Sequence, residues 1–166
     1  SHFLAQCLPR CGILGTEGNG FPGHLEAATH TTPDPLALQA WLARLRGEGA
    51  RTVAMEVSSH GLVQGRVNGV RFACALFTNL THDHLDYHGD MIAYRAAKAR
   101  LFQQPGLANA IINMDDPVGA ELLGTLPAGV VGYGYSAQGG VAALRALDAR
   151  FSAAGVHARV VTPWGE

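Results

Sequence analysis

Apolar positions along the chain follow two periods that take turns. Leu38, Trp41, Leu42 and Leu45 recur at i, i+3, i+4 and i+7, which predicts a helix capped by Asp34, entered through Pro35 and ended by Gly47 and Gly49. Short apolar runs then predict strands at Thr52 to Val57, Phe72 to Leu80, Ala110 to Met114 and Val130 to Tyr135. Helices are predicted between them, from Asp90 to Gln103 and, behind an Asp116-Pro117 cap, from Val118 to Leu126. Ala143 to Phe151 and Val156 to Val161, about the turn Ser152-Ala153-Ala154-Gly155, predict an antiparallel hairpin. At the other end, Phe3, Leu4, Cys7 and Leu8 have helical spacing that stops at Pro9, with no start signal in front, so the chain reads as cut. Gly15-Thr16-Glu17-Gly18-Asn19-Gly20 has no strand before it, no helix after it and no lysine, and is read as a loop rather than a phosphate cradle.

Strands alternating with helices predict an α/β fold: one mainly parallel sheet with helices on both faces, ending in the antiparallel hairpin. At 166 residues and 48% hydrophobic content, one globular unit is expected. Ligands of such sheets collect beyond the carboxyl ends of the strands. That rule places three loops on one rim: Glu56 to Gly61, Asn79 to His88, and Asn113 to Asp116.

Composition narrows the partner. A net charge of -1 with 15% charged residues gives no basic field for nucleic acid or an anionic membrane, which leaves a small molecule. No apolar run reaches the ~18 residues of a spanning helix, and a cytoplasmic monomer is expected. Cys7, Cys11 and Cys74 are odd in number and read as reduced thiols.

The candidate chemistry concentrates between Thr78 and Phe102. His82, His84, Asp86 and His88 alternate there, either as a zinc cluster of a hydrolase or as a loop over a nucleotide site that uses one or two of them. Lys98 is the only lysine in the chain. With Met91 at zero on a helical wheel, Tyr94, Lys98 and Phe102 fall at about -60°, -20° and +20°, which puts the amine in the packed stripe. It either snorkels out or becomes neutral, and a neutral amine can take up carbon dioxide as a carbamate. Glu56 ends an apolar strand, where a metal, a hydrogen-bonded partner or simple exposure would each accommodate its charge. Ser58 reads as a helix cap.

The runs Ala54-Met55-Glu56-Val57-Ser58-Ser59-His60-Gly61-Leu62, Thr78-Asn79-Leu80-Thr81-His82-Asp83-His84-Leu85-Asp86-Tyr87-His88-Gly89-Asp90, Ala96-Ala97-Lys98 and Asn113-Met114-Asp115-Asp116 resemble those of the Mur ligases. The resemblance implies a P-loop NTPase-like central domain over residues 1–166 and an ATP- and magnesium-dependent amide synthesis. Its products are peptidoglycan precursors: a third, diamino acid, with meso-diaminopimelate favoured over L-lysine, joins UDP-N-acetylmuramoyl-L-alanyl-D-glutamate through an acyl phosphate. Carried over by position, Glu56, His84 and a carbamylated Lys98 are implied as catalytic magnesium ligands. Thr31, Thr32, Ser58, Gln64 and Arg66 are implied to bind the UDP-muramoyl-dipeptide, and Asn113 and Asp115 the nucleotide side. The family's phosphate loop, its uridine-binding domain and its amino-acid-selecting domain are expected outside this chain, which is expected to be inactive alone. A zinc hydrolase on His82 to His88, a folate-type ligase and a non-catalytic binding module are the alternatives.

Overall fold

A computed structural model describes residues 10–153 and 155–165, so the helix expected before Pro9, with Cys7, lies outside the described residues. The chain divides into two compact units, one up to Val70 and one from Arg71 onward. The strands form two sheets where their alternation predicts one.

The first unit holds β1 (Cys11–Gly15), β2 (Gly18–Phe21), β3 (His24–Glu26), helix α1 (Pro35–Gly47), β4 (Thr52–Met55) and the short helix α2 (Ser59–Val63). Its sheet has the order β3-β2-β1-β4. Strand β4 runs parallel to β1, with Cys11 opposite Thr52 and Leu14 opposite Met55. The stretch read as a glycine-rich loop is instead the β1–β2 hairpin, with Ile13 opposite Gly20 and Gly15 opposite Gly18. Glycine hides a strand here because the neighbouring backbone comes close. A Cβ on Gly20 would stand 2.4 Å from the His24 carbonyl oxygen, and one on Gly18 2.7 Å from that of Glu26. Helix α1 forms as the pattern requires: the Asp34 carboxylate accepts from the amides of Leu36 and Ala37, both at 3.0 Å. Its Leu38 and Leu45 are fully buried, each worth roughly 1.5–3 kcal/mol of apolar transfer. Gly12 of β1 lets that contact close, since a Cβ there would meet Leu45 Cδ1 at 2.8 Å.

The second unit contains β5 (Cys74–Phe77), helix α3 (Leu85–His88), helix α4 (Met91–Ala99) continuing as a 3₁₀ turn over Arg100–Gln103, β6 (Asn109–Asn113), helix α5 (Pro117–Gly124), β7 (Val131–Ser136), β8 (Leu144–Ser152) and β9 (Gly155–Val161). The order is β5-β6-β7-β8-β9. Pairings are parallel as far as β8, and the β8–β9 hairpin is antiparallel as predicted. Alternate residues Ala75 and Phe77 of β5 and Ala110 and Ile112 of β6 join Phe102, Leu107 and Leu122 in the core. Phe77 and Phe102 meet edge to face at 6.5 Å. Gly132 and Gly134 continue that face on β7 without side chains: a Cβ on Gly132 would lie 2.6 Å from Leu123 and Leu126, and one on Gly134 2.7 Å from Met114. Helix α5 therefore rests directly on the strand.

Candidate functional site

In the first unit, the backbone amide of Glu56 donates to Leu14 O at 2.8 Å, extending the β1–β4 ladder by one bond and carrying the side chain to the hairpin turn. One carboxylate oxygen, Oε2, accepts from the Thr16 hydroxyl at 2.8 Å and from the Thr16 amide at 3.2 Å. Oε1 accepts no hydrogen bond among the described residues. Gly15 flanks the group so tightly that a Cβ there would stand 2.9 Å from Glu56 Cδ and 3.0 Å from Oε1. Hydrogen bonding from Thr16 and exposure both meet this charge.

Thr32 joins the other residues of this cluster. It is 0% exposed, its hydroxyl donates to Glu56 O at 3.0 Å, and it accepts from Ser58 N at 2.9 Å. Its carbonyl takes a hydrogen bond from Arg66 Nη1 at 2.8 Å, while Arg66 Nε donates to Gln64 Oε1 at 2.8 Å. Ser58 caps α2, accepting from Gly61 N at 3.0 Å. The structure thus brings Thr32, Glu56, Ser58, Gln64 and Arg66 into one network. Thr31 joins it through a hydroxyl pair with Thr16 at 3.1 Å.

In the second unit, the carboxyl ends of β5 and β6 lie side by side, so two of the three expected loops do meet. Asn113 Nδ2 donates to Thr78 O at 2.7 Å, and Asp116 Oδ2 accepts from Leu80 N at 2.8 Å. Between those anchors, Asn79 O accepts from Lys98 Nζ at 3.2 Å. The lysine is half-buried beside a cavity of about 50 Å³ lined by Phe77, Leu80, Arg95 and Val118, far smaller than a nucleotide needs. Burial pulls the Lys98 amine below the usual lysine range, while Asp116 and Asp83 push it back up.

His84 enters α3 with φ of 55°, a left-handed conformation sparsely used outside glycine. The Asp83 carboxylate accepts from its amide at 2.7 Å and lies 3.5 Å from Nδ1. Tyr94, only 4% exposed, organises the neighbourhood: His84 meets its ring edge to face at 5.9 Å, His88 stacks on it at 5.1 Å, and Lys98 Nζ stands 5.3 Å from its centre. Asp115 accepts from Ser136 Oγ at 2.6 Å, Ala137 N at 2.7 Å and Gln138 N at 3.2 Å, and the Ser136 bond does most to hold it below the usual aspartate range. Asn113 Oδ1 accepts from Asp115 N at 3.0 Å, so both nucleotide-side candidates brace loops.

Among the described residues no three or more His, Cys, Asp or Glu side chains converge as metal ligands, which removes the support for a zinc hydrolase on His82 to His88. The helical turn at Leu85–His88 breaks the extended geometry that alternating ligands would need. Magnesium fits better, because it is held by one or two protein oxygens and completes its shell with water and phosphate. Glu56 has one carboxylate oxygen anchored by Thr16 and the other without a donor among the described residues. Sequence reasoning missed Thr16, Tyr94 and the double use of Asp116. The i, i+4 spacing of Tyr94 and Lys98 was the available signal for the second, whereas Thr16 was obscured by the loop reading.

The Mur ligase middle-domain family model matches residues 1–166, and the chain belongs to that family. It is 55% identical over its whole length to the UDP-N-acetylmuramoyl-L-alanyl-D-glutamate--2,6-diaminopimelate ligase of Pseudomonas aeruginosa, and 53% identical to the enzyme of that name from Neisseria meningitidis serogroup A. The chain spans 35% of the length of each. A solved structure of a ligase of the same name superposes on 93% of the chain with a TM-score of 0.79 at 39% identity, covering 32% of that protein. MurF from Acinetobacter baumannii superposes on 98% with a TM-score of 0.67 at 18% identity, a likeness of fold. The folate-type alternative finds no support in these matches. No helix among the described residues is long and apolar enough to cross a membrane.

Proposed function

We propose that the chain is the central catalytic segment of a cytoplasmic ligase that joins meso-diaminopimelate to UDP-N-acetylmuramoyl-L-alanyl-D-glutamate at the expense of ATP. The observation that carries this is the match over 100% of the chain, at 55% identity, to a ligase named for that substrate and that amino acid. In the reaction the D-glutamate carboxylate takes the γ-phosphoryl group and ADP departs. The amino acid's amine then attacks the acyl phosphate carbon, phosphate leaves, and the nitrogen gives up a proton. Bound magnesium would neutralise charge on the phosphates, which is most of what phosphoryl transfer requires.

The chain's own residues hold and orient. Glu56, His84 and Lys98 are assigned to the metals, Glu56 through its carboxylate and Lys98 through the carbamate its amine forms with carbon dioxide, releasing a proton. Thr31, Ser58, Gln64 and Arg66 hold the muramoyl-dipeptide, with Arg66 already oriented by two hydrogen bonds so that its remaining donors can fork onto a carboxylate or phosphate. Thr32 is assigned with them, its hydroxyl tied to Glu56 O and Ser58 N. Asn113 and Asp115 shape the nucleotide side. Residues 1–166 are assigned as the ATPase domain without its phosphate loop.

The test replaces the matching segment of the Pseudomonas aeruginosa ligase by this chain. ATP-dependent formation of the diaminopimelate-extended precursor by the chimera is expected, with no turnover by the chain alone. A folded chimera that binds ATP and releases no extended product overturns the assignment.

A further inference from the structure

Glu56 does not stand on its strand unaided, and the hydroxyl that steadies it belongs to a residue with no role assigned above. The proton count along Thr31, Thr16 and Glu56 is constrained. An ionised carboxylate only accepts, so the Thr16 hydroxyl, 2.8 Å from Oε2, spends its one proton on Glu56. The contact of 3.1 Å between the two threonine hydroxyls then has one arrangement: Thr31 donates and Thr16 accepts. Thr31, its proton spent in turn, has only lone pairs left to offer.

Two features fix this chain of hydroxyls. The Thr16 amide reaches the same Oε2 at 3.2 Å, so one residue holds one carboxylate oxygen through two donors. Gly15 lies against the other side, where any Cβ would press on Glu56 Cδ at 2.9 Å. The carboxylate is thereby clamped at Oε2, and Oε1 is the oxygen left to a cation.

We propose that Thr16 is a positioning residue for Glu56 and sets the proton direction of the Thr31–Thr16–Glu56 chain, so that Thr31 meets the substrate as a hydrogen-bond acceptor. The substrate group facing Thr31 is then a donor, an amide N–H or a sugar hydroxyl, and not a phosphate or carboxylate oxygen. This rests on the proposed assignments of Glu56 to the metal and Thr31 to the substrate.

The experiment compares Thr16→Val, Thr16→Ser, Thr31→Val and Glu56→Gln in the chimera described above, with Mn2+ affinity read by electron paramagnetic resonance and the Michaelis constant of the UDP-substrate read separately. Thr16 is exposed and has an ordinary backbone conformation, so Val replaces only the hydroxyl. Thr16→Val is expected to weaken both Mn2+ affinity and substrate binding about tenfold or more, the scale of one lost hydrogen bond to a charged group. Thr16→Ser is expected to stay within about twofold of the parent, and Thr16→Val combined with Thr31→Val to cost less than the two effects added, as linked groups do. Unchanged Mn2+ affinity in Thr16→Val beside a loss in Glu56→Gln overturns the positioning role and leaves the ligase reading intact. Unchanged Mn2+ affinity in Glu56→Gln overturns the metal assignment itself.

Discussion

Glu56 and Lys98 carry opposite charges assigned to the same task, and the protein prepares them in opposite ways. Glu56 sits at an exposed strand end, where the Thr16 hydroxyl and amide donate to its carboxylate without removing it from water. Lys98 rides a helix face against apolar walls, where burial penalises its charged form and the compensating carboxylates of Asp116 and Asp83 recover only part of that cost. Under the proposed assignment, the group that would serve as an anion is given hydrogen bonds, and the amine that would take up carbon dioxide is given desolvation. The two regions also differ in what a mutation would break. Around Glu56 the supports are individual polar contacts, whereas around Lys98 they are a packed cavity and a pinned backbone.

The largest effect is expected at Lys98. Lys98→Arg preserves a cation on the stripe yet cannot become neutral, so the chimera's kcat should fall about a hundredfold or more, the scale of losing one preorganised electrostatic contact. Because the chain has no second lysine, 13C-labelled bicarbonate should give one side-chain carbamate resonance in the parent chain and none in the variant. An active Lys98→Arg enzyme would make the lysine an ordinary cation and dissolve the contrast with Glu56. Next comes Thr32→Val, nearly isosteric, which leaves Glu56 O and Ser58 N without their buried partner. It should lower stability by about 1–3 kcal/mol in chemical denaturation. Asp116→Ala removes both the anchor of Leu80 N at 2.8 Å and the cap on Val118 N at 2.9 Å, with an expected loss of about 1–2 kcal/mol and a weakened hold on the Asn79 carbonyl that Lys98 meets. A denaturation midpoint unmoved by Asp116→Ala would mean that packing alone pins the 78–80 backbone.

The sequence carried these regions unequally. Helix α1, its Asp34 cap, helix α5 behind Asp116, and the strands β4 to β7 were legible because their apolar periods and caps are local signals. The β1–β2 hairpin was not, since its glycines answer to the backbone of β3, a partner that a local pattern does not contain. Likewise the wheel position of Lys98 put the amine in the packed stripe, and the half-buried cavity edge agrees. The wheel could not show that Tyr94 would gather His84, His88 and Lys98 about one ring, because two of those come from the preceding loop and short helix. The division into two sheets was equally hidden, as strand alternation gives order along the chain and says nothing of which strands pair.

Asp115 offers the finest test of the contrast, because it belongs to the unit of Lys98 but is treated like Glu56. Its carboxylate takes three donors, chiefly Ser136 Oγ, and is held below the ordinary aspartate value of 3.8. The sign follows from proton linkage: with the folded pKa below the unfolded one, the unfolded chain binds more protons through the acid range, so stability rises with pH there. The contribution is complete above the unfolded value and is lost as pH falls through the folded one. Asp115→Asn keeps the shape and abolishes the titration. The stability gap between parent and variant should therefore be about 0.5–1 kcal/mol near neutrality, a value reduced by solvent screening at this accessible site, and should narrow below pH 3.8. A gap that stays constant through the acid range would show that the 136–140 loop is held by the geometry of the hydrogen bonds and not by the charge, and would place Asp115 apart from Glu56 after all.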